Sequence, residues 1–172
     1  LAAYAVIAYV AFFVQIMIQS VGDGSQPLIS VYRGAGDADA VRRLRNTNYL
    51  VAIAFGFVGL GIMFAVRNAI PLLFGATDIV KPVIAYALPV FSICYIFYGF
   101  THTTTSYFYA VDDSRSSNTL VIAEAIIVCV VVFIMGLLFQ VDGIWFSPTV
   151  LQMLLCIIAG TLLYRRHKAQ KE

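Results

Sequence analysis

"TLVIAEAIIVCVVVFIMGLLFQ", residues 119–140, carries one ionisable side chain, Glu124, in an otherwise apolar run. A helix rises about 1.5 Å per residue and the hydrocarbon core of a bilayer is about 30 Å thick, so a run of roughly 20 apolar residues crosses it. This stretch is long enough. Outward from it the same test marks spans at approximately 2–31, 48–66, 82–110, 117–140 and 146–164. Hydrophobic residues make up 61% of the chain and charged ones 12%, with a mean hydropathy of +0.89, far above a soluble domain. The expected fold is all-α, a polytopic integral membrane bundle of about five transmembrane helices.

Composition also narrows the function. The net charge of +2 is too small for nucleic-acid binding by field alone, so membrane lipid is the expected surrounding and nucleic acid is not an expected partner. Cys94, Cys129 and Cys156 lie in apolar runs without CxxC or histidine spacing, which fits packed or lipid-facing thiols. No nucleophile elbow, phosphate loop, metal-ligand cluster or dinucleotide fingerprint is present, so the expectation is a protein that is not an enzyme, with no cofactor and no metal site. There is no initiator methionine and Leu1 already lies in a helical apolar pattern, so the chain is expected to be a piece of a longer one.

Basic residues set the orientation. One set of alternate connections holds Arg33, Arg42, Arg43, Arg45, Arg115, Arg165, Arg166, Lys168 and Lys171, while the other holds Arg67 and Lys81. Nine against two is a strong positive-inside bias. It places the loops at 33–46 and 112–116 and the C-terminus in the cytoplasm, with Leu1 on the outer side. An odd number of spans from an outside start calls for at least one preceding crossing.

Two spans carry polar stripes. In the first, Gln15, Gln19, Asp23, Gln26 and Ser30 recur every three or four residues and share one face if the helix continues. A carboxylate there costs a few kcal/mol to insert, so Asp23 either faces a bundle interior or water-filled cavity, or sits at the inner mouth capping a helix restarted after Gly22 and Gly24. In the third, Ser92, Tyr95, Tyr98, His102, Ser106 and Tyr109 share a face, with Thr101, Thr103, Thr104 and Thr105 beside it. A cavity wall can use such tyrosines to hold an aromatic cation, whereas lipid would leave their hydroxyls unsatisfied. His102 offers either proton coupling, since imidazole ordinarily changes charge near neutral pH, or a neutral ring bonded to a carbonyl or threonine. Glu124 is either functional or hydrogen-bonded to a tyrosine or serine of a neighbouring span. Pro82 fits the start of the third span, and Pro89 inside it is expected to kink it. Gly56, Gly59 and Gly61 suit close helix packing in the second span.

The stretch "GDGSQPLISVYRGAGDADAVRRLRN", residues 22–46, resembles the signature ending the eighth helix of multidrug and toxic compound extrusion (MATE) transporters, particularly their bacterial multidrug branch. Gly24, Gln26 and Pro27, then Gly34 and Ala35, then a basic helix carry that likeness. "IPLLFGATDIVKPVIAYALPVF" resembles the connection from the ninth to the tenth helix, and "YFYAVDDSRSS" the end of the tenth. "VDGIWFSPTV" resembles the turn between the eleventh and twelfth.

The resemblance implies helices eight to twelve of a two-lobe antiporter in the bacterial cytoplasmic membrane. Such a protein exports small cationic, often aromatic compounds by alternating access, exchanging them for H+ or Na+, and the partner here would be its own preceding helices. In that setting Gly22, Gly24 and Pro27 let the first span bend, and Gln26 satisfies backbone freed there. The pathway candidates are Gln15, Gln19, Asp23, Gln26, Tyr95, Tyr98, His102 and Glu124. One departure stands out. Sodium-binding members use an aspartate on the tenth helix, but no carboxylate lies between Pro82 and Val111.

Two other functions fit such a bundle. A lipid-linked saccharide flippase of the same superfamily should carry cations in its cavity, yet every Lys and Arg here lies near a span end or in a loop. A non-transporting helix-packing subunit has no use for two polar stripes.

Overall fold

The computed structural model describes residues 2–169; Leu1 and Lys171, used above to set orientation, lie outside the described residues. The chain forms α1 (Ala2–Gly34), α2 (Ala38–Val66), α3 (Ala69–Leu73), α4 (Lys81–Ser92), α5 (Cys94–Ala110) and α6 (Ser114–Ala169), and no strand occurs among the described residues. Five stretches are long and apolar enough to cross a membrane: Ala3–Gly34, Ala38–Val66, Lys81–Ala110, Ser114–Gln140 and Asp142–Lys168. The protein is a multi-pass membrane helix bundle.

Local chemistry decides where these helices start and stop, and it moves several expected boundaries. α1 runs uninterrupted through Gly22, Gly24 and Pro27, so no helix restarts for Asp23 to cap. Pro27 simply leaves the Asp23 carbonyl without its usual donor four residues on. The basic stretch expected as a loop at 33–46 is mostly helix. The Asp37 carboxylate accepts from the Ala40 N–H at 2.9 Å and caps α2, so Arg42, Arg43 and Arg45 ride on its first turns. Gly36, at φ 76, makes the turn between α1 and α2 that a side chain would strain. The third span breaks at Ile93, one turn after Pro89, where the Ile93 N–H reaches back to Val90 at 3.4 Å and the Ser92 hydroxyl bonds the Leu88 carbonyl.

α6 is two helices folded against each other. Gln140, at φ 52 and ψ −129, interrupts it, and the arms Ser114–Gln140 and Asp142–Lys168 run back antiparallel. The stretch 141–150, expected as the turn, is therefore helical, and the reversal falls at the single residue before it. Gly143 lies at the crossing. A Cβ there would sit 2.1 Å from the Met135 carbonyl oxygen, so only glycine lets the arms separate from so tight a point.

α5 is the innermost helix, with α1, α2 and α6 packed around it. A Cβ on Gly56 would lie 2.9 Å from Ile96 Cα, and one on Gly99 2.8 Å from the Ala52 carbonyl oxygen. Backbones that close gain dispersion contact, the main attraction available between helices in lipid. Gly59 admits Val14 in the same way, whereas Gly61 faces open space. One apolar cluster gathers Ile7, Ile18, Met63, Leu88, Tyr95 and Trp145, a second Ile29, Val41, Phe108, Leu120 and Ala159. Between them α5 turns Thr101, Thr103, Thr104 and Ser106 inward. Phe12, Phe13, Phe57, Phe64, Phe133 and Leu137 point outward, as lipid-facing side chains do.

Candidate functional site

The polar stripe of α1 lies against the polar stripe of α5. Gln19 Nε2 donates to the Tyr98 hydroxyl. One turn on, His102 Nε2 lies 3.1 Å from Asp23 Oδ1, and the Ser106 hydroxyl donates to the same oxygen at 3.1 Å. Further along, the Ser30 hydroxyl donates to the Ala110 carbonyl at 3.1 Å. Gly22 permits this approach, because a Cβ there would meet Ser106 Oγ at 2.8 Å and His102 Cδ2 at 3.2 Å. So a glycine stands beside the aspartate to bring a second helix within hydrogen-bonding distance of it.

Asp23 Oδ1 also accepts from Gln26 Nε2 at 3.3 Å. Gln26 thus bonds the carboxylate, not the backbone freed by Pro27 as expected, because three residues along a helix bring the two side chains over each other. Gly24 and Pro27 are exposed, and Gly34 and Ala35 end α1 and begin the turn to α2. The side chain of Asp23 is 57% exposed and that of His102 22%. His102 lies on the wall of a cleft, and Asp23 stands beside it, open to the surface and not in a sealed core.

That cleft has a volume of about 300 Å3, and Gln19, Tyr98, Thr101, His102, Tyr109 and Glu124 line it. The Tyr98 ring stacks on His102, with centroids 5.7 Å apart. Glu124 accepts from Gln152 Nε2 at 3.4 Å, and Gln152 Oε1 accepts from the Thr101 hydroxyl at 2.7 Å. The partner of Glu124 is therefore an amide, where a tyrosine or serine was expected, and the ring nitrogen of His102 faces a carboxylate instead of a carbonyl or threonine. Gln152 went unnoticed in the sequence. The signal was there: it is the one amide in the last apolar span, the criterion that singled out Gln15 and Gln19.

Two candidates stand apart. Tyr95 is fully buried in the apolar core, its ring packed near Gly59, and it is not among the residues lining the cleft. Its hydroxyl has no hydrogen-bond partner among the described residues. Gln15 is half-buried on the stripe but is not among the residues lining the cleft. Among the described residues no group of three His, Cys, Asp or Glu side chains is placed to hold a metal ion.

A helical membrane bundle with an acid–imidazole pair beside a cleft that carries Tyr98, Tyr109 and Glu124 is compatible with a membrane transporter. A model of the MatE family matches residues 1–135, and the chain belongs to that family, a family of membrane transporters in the MATE superfamily. The match ends before the last arm of α6. No curated protein and no solved structure matches the chain.

Proposed function

We propose that the chain forms part of a secondary active antiporter that exports cationic, often aromatic compounds across the bacterial cytoplasmic membrane in exchange for H+ or Na+. The observation that carries this reading is the Asp23–His102 pair, whose imidazole lines a cleft that also holds Glu124. With Asp23 ionised and His102 neutral and donating its Nε2 hydrogen, the pair carries one negative charge. One added proton makes an imidazolium and cancels it. A proton and an organic cation therefore compete for the same charge, and competition for one site is what exchange by alternating access requires. Tyr98 offers an aromatic face to a cation beside that charge, and about 300 Å3 lies at the small end of what drug-sized ligands fill, ~300–1,000 Å3.

Hydrocarbon is closed to an ionised carboxylate, so the exposed sides of Asp23 and Glu124 must face water or protein. The preceding helices of the parent transporter would supply that opposing wall, and alternating access would open the cleft to each side in turn. The test is ethidium efflux from pump-deficient cells carrying the full-length protein, with the proton and sodium gradients collapsed separately. Loss with the proton gradient supports drug/proton exchange, and loss with sodium alone moves the coupling to sodium. Absence of efflux under either gradient would favour the lipid-linked saccharide flippase.

A further inference from the structure

At the end of the bundle that gathers the arginines, away from the cleft, a second cavity of about 280 Å3 opens between the α1–α2 turn, the last turn of α5 and the last turns of α6. Arg33, Arg42, Arg45 and Arg166 line it together with Tyr107 and His167. Two of these arginines are paired: Arg42 with Asp39 at 3.3 Å and Arg166 with Asp113 at 2.7 Å. Among the described residues no carboxylate pairs with Arg33 or Arg45, and Arg45 bonds only the neutral Asn46 side chain, at 3.0 and 3.2 Å. Positive charge is left over inside a concave site.

The site is also built. Arg45 and Arg166 both lie over the Tyr107 ring, at 5.4 and 5.7 Å from its centroid, which holds their guanidinium planes at the cavity wall. The side chain of Arg166 is only 15% exposed, and its Nε is buried with no hydrogen-bond partner among the described residues. A buried guanidinium N–H without an acceptor is costly, and an anion in the cavity would offset that cost through its charge on the guanidinium. Asp39, paired with Arg42, also lines the cavity, and Val41 and Val111 add apolar surface.

We propose that this cavity binds a phosphate group, as an anionic lipid headgroup presents at the membrane interface. Planar guanidiniums match phosphate oxygens in pairs, and a basic pocket between helix ends at the bilayer surface suits a headgroup whose chains continue into the lipid. The proposal is independent of the transport reading, since it uses none of the cleft residues.

The experiment is native mass spectrometry of the full-length protein in detergent, titrated with phosphatidylglycerol or with zwitterionic phosphatidylcholine. Phosphatidylglycerol is expected to be retained at least about tenfold more tightly. Arg33→Gln with Arg45→Gln should weaken it by about tenfold or more, while Arg43→Gln, which matches the charge change of Arg33→Gln alone but lies outside the cavity on α2, should leave it unchanged. Arg33→Gln alone, at an exposed position, serves if the double variant fails to fold, with an expected weakening of about threefold. Displacement by millimolar inorganic phosphate would assign the pocket to phosphate from a soluble source as well, and resistance would assign it to lipid. Equal retention of the two lipids, or an equal loss in Arg43→Gln, would overturn the proposal.

Discussion

His102 Nε2 lies 3.1 Å from Asp23 Oδ1, joining α5 to α1 across 79 positions of sequence at the edge of a polar cleft. The Ser106 hydroxyl and the Gln26 amide hold the same oxygen, so the carboxylate is fixed by neutral donors as well as by the imidazole. Asp23→Asn keeps the shape and removes the charge. It should lower dye efflux at least about tenfold at unchanged protein level in the membrane, whereas Ser106→Ala, which removes one neutral donor, should cost about threefold or less. Efflux assays normalised to membrane protein check both.

The glycines separate into two kinds. Gly99→Ala would drive a Cβ to 2.8 Å from the Ala52 carbonyl oxygen and 3.0 Å from its carbon, and backbone cannot swing aside. That variant should lose about 1–3 kcal/mol of stability. Gly24→Ala meets nothing within 4 Å and gains helix propensity, so it should be neutral or stabilising by up to about 1 kcal/mol. Thermal unfolding in detergent, followed by size-exclusion, distinguishes the two.

Gln152 ties Thr101 of α5 to Glu124 of α6. A double-mutant cycle of Glu124→Leu and Gln152→Leu should give a coupling of about 0.6 kcal/mol in stability, the usual size for a hydrogen bond between membrane helices. Strict additivity would show that the two residues do not interact. Thr101 keeps a second acceptor, the Tyr98 carbonyl at 3.1 Å, so losing Gln152 does not strand it.

Asp113, in the turn before α6, gives a pH dependence whose sign can be worked out. Partial burial pushes its carboxyl up, but the Ser116 N–H, the Ser116 hydroxyl and the Arg166 guanidinium outweigh that and hold it below the usual carboxylate range. The ionised form is thus favoured by folding. Its stabilisation is complete above the ordinary aspartate value, about pH 4, and is lost as pH falls through the lowered one. Asp113→Asn should remove about 2 kcal/mol at neutral pH and flatten the acid limb of the stability profile, measured as unfolding midpoint against pH.

Much of the fold was legible because the bilayer imposes one length and one polarity on every span. The stripes of α1 and α5 were legible for the same reason, since helical period alone groups Gln19 with Asp23 and Tyr98 with His102. That they face each other was not. Helix pairing rests on close approach at Gly22, Gly56 and Gly99, and composition does not say which surface a glycine opens toward. Tyr95 shares the period of the cleft residues yet turns into the core, where its ring packs against α2 near Gly59. The reversal at Gln140 was also hidden, as a single residue at positive φ carries it without a loop. The basic stretch after Gly36 reads as a loop by charge, while the Asp37 cap makes it helix.

The central claim is that a proton and an organic cation compete for the charge held by Asp23 and His102. The most direct measurement is proton release when tetraphenylphosphonium binds the purified full-length protein in weakly buffered detergent solution. The account predicts release on binding in the unaltered protein, and loss of both the release and most of the affinity in Asp23→Asn. Binding without proton release, at an affinity that Asp23→Asn leaves unchanged, would contradict it.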